Sequence, residues 1–287
     1  MNKSTIKLLS SLSQPGQLPL IAIDVGAHHG HYSESLIQSG FFERVIAFEP
    51  NPDNLGIISE RISLSASCTF ELIPAALGAN TDTSILYFDD NTATASLLQY
   101  GENYKTQGNI NEHSVPVTTL DLFCDGISEA HRLSFLKVDT QGNDLEVIKG
   151  GQKCISKHRP VIQVELIFTP LYKNQCTPKD IYETLNDFGY EMYTLSDLHV
   201  DMNGRLIYCD CLFIPSESNL ASSVDHGYIC IDDRESLEIQ IKILSDICKE
   251  RLELIQRLDS ELKKTQQTIT VQQLFQNIKQ KIISWVQ

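Results

Sequence analysis

No apolar run in the chain approaches the ~18–20 residues that span a bilayer, so no transmembrane helix is expected. The short stretch Ile6 to Leu12 is broken by serines, and no small-residue cleavage pattern follows before Pro15. It reads as an amphipathic lead helix within a lead segment 1–19, not as a secretory signal. Basic residues are scarce as well: 23 Lys and Arg face 37 Asp and Glu, for a net charge of -14. Nothing resembles the basic patch that tracks phosphates, which argues against a nucleic-acid partner. The cysteines (Cys68, Cys124, Cys154, Cys176, Cys209, Cys211, Cys230 and Cys248) form no Cys-x-x-Cys pair. Reduced, buried thiols in a cytoplasmic protein are expected, with a zinc site as the alternative. The Gly-x-Gly-x-x-Gly fingerprint of dinucleotide binding is also missing at the first glycine turn.

What the chain does have is strand–helix alternation. Leu20–Asp24, Val45–Glu49, Phe70–Pro74, Phe135–Asp139 and Val161–Glu165 are short apolar runs that read as strands. Helices are expected from near His31, after the cap Asn51-Pro52, between Gly142 and Gly150-Gly151, and from Thr177-Pro178 to about Phe188. Met192–Leu195 and Cys209–Ile214 read as a closing hairpin turning at Asn203-Gly204. Such alternation predicts an α/β fold, a mostly parallel sheet with helices on both faces, whose ligands bind outside the strand C-termini. Residues 79–118 interrupt the pattern with a strand, Ser84–Phe88, and a polar loop, Asn91–Ser114, which is a lid or substrate-selecting candidate.

The densest signal is Ile21-Ala22-Ile23-Asp24-Val25-Gly26-Ala27-His28-His29-Gly30, a strand running into Asp-x-Gly-x-x-x-Gly. Its glycines let backbone approach a ligand closely. Asp24 ends the strand where a cationic amino group could be held. An acid ahead of two glycines four apart favours a zwitterionic methionine moiety over a pyrophosphate. Ala47-Phe48-Glu49-Pro50-Asn51-Pro52 then ends the next strand, and Glu49 stands where an acid accepts ribose hydroxyls. An NAD enzyme could use the same acid, so Glu49 alone does not decide the cofactor.

The third signal is Phe135-Leu136-Lys137-Val138-Asp139-Thr140-Gln141-Gly142-Asn143-Asp144-Leu145-Glu146-Val147-Ile148-Lys149-Gly150. With it, and with Ala75-Ala76-Leu77-Gly78, Thr119-Leu120-Asp121, Val164-Glu165 and Pro170-Leu171-Tyr172, the chain resembles the FkbM family of methyltransferases over residues 20–214. The resemblance implies a Rossmann-like class I methyltransferase fold with a seven-stranded, mostly parallel sheet. It also implies transfer from S-adenosylmethionine, usually to a hydroxyl of a sugar or secondary metabolite, so an O-methyltransferase with a small-molecule or glycan acceptor is expected. The chain departs from the family pattern at His28, where Asn is frequent, and at Gln141 and Asp144, where Glu is frequent. A glutamine at 141 keeps a binding role and loses any role as a base.

Gly26, Ala27, His28, Gly30, Glu49 and Pro50 are thus expected to cradle the cofactor, with Ala76 and Leu77 flanking its adenine, Asp24 at its amino end and Asp139 touching it at the methyl-transfer point. A hydroxyl needs a base or a cation to lower its pKa before it attacks. Asp139 and Glu165 end adjacent strands and can converge on one substrate oxygen or one hard divalent ion. Against that, Asp139 could cap the next helix and Glu165 could pair with Lys173. Ser96 and Gln141 are candidates for touching the substrate. His28, His29 and His31 could suggest a metal, but their turn is committed to the cofactor.

Residues 215–234 read as a linker and 235–287 as a helical tail. Leu237, Ile241, Leu244, Cys248, Ile255, Leu258, Leu262 and Ile269 recur at alternating four- and three-residue steps, interrupted by Arg251 and Thr265. Such a seam fits a coiled coil, giving a homo-oligomer or partner docking through 235–269, or a helix folded onto its own domain. Two other functions are weighed: a non-catalytic binding or assembly protein on a methyltransferase scaffold, and a dehydrogenase, which the glycine spacing disfavours.

Overall fold

The computed structural model describes residues 19–62 and 68–218, together with Thr5 and Leu8. Most of the expected lead segment, the linker from residue 219 onward and the tail 235–287 lie outside the described residues. The strands are β1 (Leu20–Val25), β2 (Arg44–Phe48), β3 (Thr69–Ile73), β4 (Ala76–Leu77), β5 (Asp82–Phe88), β6 (Asn111–Thr118), β7 (Arg132–Val138), β8 (Val161–Ile167), β9 (Tyr190–Val200) and β10 (Leu206–Pro215). Seven of them form one sheet in the order β3-β2-β1-β7-β8-β10-β9. The first five are mutually parallel, and β10 runs antiparallel to β8 and β9. This is the Rossmann-like class I methyltransferase architecture that the alternation and the resemblance imply.

Every residue of β1 is buried, as expected of a parallel strand covered on both faces. Successive side chains alternate between the faces. Ile21, Ile23 and Val25 enter one core with Leu136, Val138, Ile162 and Val164. Helices α3 (Leu120–Cys124), α4 (Asp144–Lys149), α5 (Gln152–His158) and α6 (Pro178–Asp187) cover that face. Leu20 and Ala22 enter the opposite core beneath α1 (His31–Gln38) and α2 (Pro52–Arg61). The caps follow the sequence. Asn51 accepts the amide of Asp53 with Pro52 at the first helical position, and Thr177 forms a capping box with Asp180.

The chain winds outward from β1 through β2 to β3, then returns to lay β7 on the other side of β1. Strand order therefore reverses between β1 and β7, and a crevice opens beyond their C-termini. The segment between β3 and β7 roofs this edge. There β4, β6 and β5 form a second sheet, with β5 and β6 antiparallel. The expected loop 91–114 is shorter than it reads, because β6 begins at Asn111. Its mostly polar residues and Pro116 conceal a strand in which Val115 and Val117 are buried.

Helix α5 also goes beyond expectation. The preceding helix stops before Gly150-Gly151 as read, but a second one starts at once, because the Asp121 carboxylate accepts the amides of Lys153 and Cys154 at 3.2 and 2.8 Å. That contact draws α3 and α5 together and corrects the reading of the cysteines: Cys124 and Cys154 are joined in a disulfide. Two cysteines 30 residues apart form no motif, so helix packing alone reveals the pair. Cys68, Cys176, Cys209 and Cys211 are free thiols.

Candidate active site

Beyond the ends of β1, β2 and β7 lies a cavity of about 550 Å³, within the size range of small-molecule sites. Gly26, His28, Glu49, Pro50, Ala76 and Leu77 line it together with Asp139, Gln141 and Glu165, and Thr92, Thr94, Ser96 and Tyr104 form its roof. The amides of Gly26 and Ala27 donate to the Phe48 carbonyl at 3.0 and 3.1 Å, which ties the glycine turn to the end of β2. Glu49 is buried there. Its Oε2 accepts the His28 amide at 2.7 Å, and Oε1 accepts the Asn51 amide at 2.9 Å and Asn54 Nδ2 at 3.2 Å. Burial raises the Glu49 pKa, opposed by these N–H donors. A carboxylate has about four acceptor positions, so about one is left for a ligand.

His28 carries the turn to the roof. Its Nε2 lies 3.0 Å from the Thr92 hydroxyl, and its ring stacks on His29 with centroids 3.7 Å apart. Burial, then the proximity of His29, lowers its pKa to about 4, so the ring is neutral at physiological pH.

Gln141 Nε2 donates to Asp139 Oδ1 and to Glu165 Oε2, both at 2.9 Å. Burial, then the charges of Asp139, Asp144 and Asp210, push Glu165 well above the usual carboxylate range. Asp139 does not cap α4. Asp144 closes that turn, accepting the amides of Thr140 and Gly142 at 2.8 and 3.1 Å. Nor does Glu165 pair with Lys173, whose Nζ donates to Gln99. Lys137 is the buried cation of the site, with Nζ 3.3 Å from both Asp24 Oδ1 and Asp139 Oδ2. Burial pulls its pKa down, but Asp139, Asp24 and Asp210 outweigh burial and hold it charged.

A second recess of about 320 Å³ adjoins the cavity and shares Gly26, His28 and Asp139 with it. Ala27, His29, His31, Tyr32, Ser35, Lys137 and Asp210 complete its walls. Tyr32 donates to Gln163 Oε1 at 2.5 Å, and Gln163 Nε2 donates to Asp210 Oδ2 at 2.6 Å.

Residues 24–192 match the methyltransferase FkbM domain. The chain belongs to the FkbM methyltransferase family. Methyltransferase FkbM from Methylobacillus flagellatus KT is 20% identical over 71% of this chain and 45% of that one, with a TM-score of 0.43. The chain thus spans less than half the length of that protein. An rRNA methylase from Streptococcus thermophilus is 11% identical over 74% of this chain and 94% of that one, with a TM-score of 0.40. Magnesium protoporphyrin IX methyltransferase from Synechocystis PCC 6803, with bound SAH, is 9% identical over 74% and 80%, with a TM-score of 0.41. No curated protein matches the chain.

Most residues singled out in this FkbM domain meet at the two recesses, but two do not. Asp24, expected at a ligand's amino end, is fully enclosed. Its Oδ2 accepts the Ser33 hydroxyl at 2.6 Å, and the cation beside it is Lys137. Gly30 closes the turn, donating to the Ala27 carbonyl at 2.8 Å with φ of 78°, and lines neither recess. Ser96 is a brace: its hydroxyl donates to the Gln141 carbonyl at 2.7 Å. Lys137 and Tyr172 lie within the motifs that carry the family resemblance, but the motifs alone do not show what they touch. Thr92, Tyr104 and Asp210 gave no local signal, because only the tertiary fold brings them to the site. Among the described residues no three His, Cys, Asp or Glu side chains are grouped to hold a metal, and no helix is long and apolar enough to cross a membrane.

Proposed function

We propose that the chain transfers a methyl group from S-adenosylmethionine to a hydroxyl oxygen of a sugar or secondary metabolite. The observation that carries this reading is one continuous cavity lined by both Glu49 and the Asp139–Glu165 pair. The residues present fit such a donor. Glu49 keeps an acceptor position for a ribose hydroxyl, Ala76 and Leu77 offer an apolar wall to the adenine, and the recess beside Gly26 and Ala27 takes the amino-acid end. When bound, S-adenosylmethionine supplies a methyl group on a positively charged sulfur, which leaves as a neutral thioether.

The chain's own task is to orient the acceptor hydroxyl and take its proton. Asp139 is assigned as the base, because it faces both recesses and a buried cation steadies its charge. Glu165, from the adjacent strand and tied to Asp139 through Gln141, helps to orient the acceptor hydroxyl. Oxygen as the target rests on this carboxylate pair together with the family. Disulfides persist chiefly in oxidising compartments, so the Cys124–Cys154 bond leaves a cytoplasmic location without support from the cysteines. Self-association or partner docking through 235–269 is proposed from the apolar seam alone, and sedimentation of the full chain against a chain ending at residue 218 tests it.

Calorimetry tests the donor. S-adenosylhomocysteine is expected to bind and NAD is not; the reverse preference would overturn the assignment. With an acceptor in hand, Asp139→Asn is expected to keep that affinity and to lose about 10²–10⁴-fold in turnover. Full turnover in that variant would remove Asp139 from the chemistry.

A further inference from the structure

Two carboxylates converging on one reacting oxygen repel each other and invite a cation between them. Here a side-chain amide lies between them. Gln141 Nε2 is 2.9 Å from Asp139 Oδ1 and 2.9 Å from Glu165 Oε2, so its two N–H bonds serve one carboxylate each. The amide orientation follows from its partners. Tyr172 OH lies 2.7 Å from Gln141 Oε1, and 3.1 Å from the Thr94 carbonyl. The Tyr172 phenol carries one proton, which either Gln141 Oε1 or the Thr94 carbonyl can accept, so the carboxylates on the other side decide the orientation. A flipped amide would aim its oxygen at both carboxylates.

The backbone is held with similar care. Gln141 has φ of 55°, in the left-handed region, and the Ser96 hydroxyl from the roof donates to its carbonyl. Three elements therefore fix one side chain: the turn after β7, the roof segment and the segment after β8. A hard divalent ion bridging Asp139 and Glu165 would bind their oxygens at ~2.0–2.6 Å, in the space Nε2 occupies.

We infer that Gln141 is a positioning residue that takes the place of a divalent cation between Asp139 and Glu165, so that the site works without a metal. This rests on the proposed function for what the two carboxylates do, but the geometry can be tested without acceptor or methyl donor. A glutamate at this position would bring a third carboxylate into the gap and convert it into an all-oxygen cage of the kind that Mg²⁺ and Mn²⁺ prefer.

The probe is Mn²⁺, titrated calorimetrically into the full chain. The native protein is expected to show no Mn²⁺ site that Asp139→Asn removes. Gln141→Glu is expected to gain one site, at least ~10-fold tighter than any in the native protein, and the added Asp139→Asn change is expected to abolish it. A third carboxylate could unfold the turn, so Gln141→Ala, which only vacates the gap, is measured alongside and should gain affinity in the same direction. A merely structural glutamine would yield no such gain. A native Mn²⁺ site lost in Asp139→Asn, or no gain in either folded variant, overturns the inference. S-adenosylhomocysteine titration of the same preparations separates the two claims. Failure of the native protein to bind it sinks the proposed function and leaves the Mn²⁺ result standing, whereas normal binding without a Mn²⁺ gain sinks only the role of Gln141.

Discussion

The carbonyl oxygen of Asp139 occupies the place where a side chain at Gly26 would begin. A Cβ built on Gly26 collides with that oxygen, and Gly26 itself sits at φ of 79°. The first turn after β1 and the end of β7 are thus in backbone contact at the point where strand order reverses. Gly26→Ala would combine a left-handed residue, about 1–2 kcal/mol, with overpacking of about 1–3 kcal/mol. Urea denaturation should show a loss of roughly 2–5 kcal/mol, with weakened S-adenosylhomocysteine binding. A variant within ~0.5 kcal/mol of the native protein, the usual range for neutral surface changes, would mean the two turns separate freely.

Glu49 has a structural duty as well as its proposed one. It accepts two backbone amides and Asn54 Nδ2, so Glu49→Ala strands three buried donors. Hydrogen bonds to charged groups are worth about 1.5–3 kcal/mol each, so losing the one to a ribose hydroxyl should weaken S-adenosylhomocysteine by roughly 10–150-fold. Calorimetry reads this directly. Unchanged affinity in a folded Glu49→Ala variant would place the ribose elsewhere.

The residues of the site differ in how far the sequence reveals them. Gly26 and Glu49 end apolar runs, and a parallel strand buried on both faces must be such a run, so their positions at the crevice follow from pattern alone. Asp139 and Glu165 were legible for the same reason, since their strands adjoin. The partner of Asp24 was not legible. Lys137 reaches it only because the register of β1 on β7 sets Asp24 beside Lys137. β6 was concealed because its exposed positions carry polar residues, and the role of Gln141 because it depends on Tyr172 and Ser96 arriving from distant segments.

The Cys124–Cys154 bond makes a prediction of its own. Closing a loop between residues 30 apart stabilises a fold by about 2–4 kcal/mol, chiefly through the unfolded chain. Peptide mapping under non-reducing conditions should recover this pair, and Cys154→Ala should lower stability by that amount under oxidising conditions. Equal stability of the native protein and the variant without reductant, or a free thiol at both positions, would refute the bond in solution.

Asp210 gives the fold a dependence on pH whose sign can be worked out. Burial, then the charge of Asp139, raises its pKa to about 7, against the opposing pull of Lys137; Asp197 adds to the rise and Gln163 opposes it. In an unfolded chain an aspartate titrates near ~3.9. The folded state therefore holds the proton more tightly. That contribution to stability is fully present below about pH 3.9 and is lost as pH rises through about 7. Asp144, raised to about 6 mainly by burial, and Glu165 act in the same direction. Asn at 210 mimics the protonated acid, and its amide oxygen can still accept from Gln163 Nε2. Asp210→Asn should then match the native protein near pH 4 and exceed it at pH 8 by about 1–3 kcal/mol, a figure discounted for the solvent that reaches Asp210 in the recess. Denaturation curves across that range decide it. If the variant is instead the less stable of the two at pH 8, folding favours the ionised form of Asp210, and its attraction to Lys137 outweighs burial.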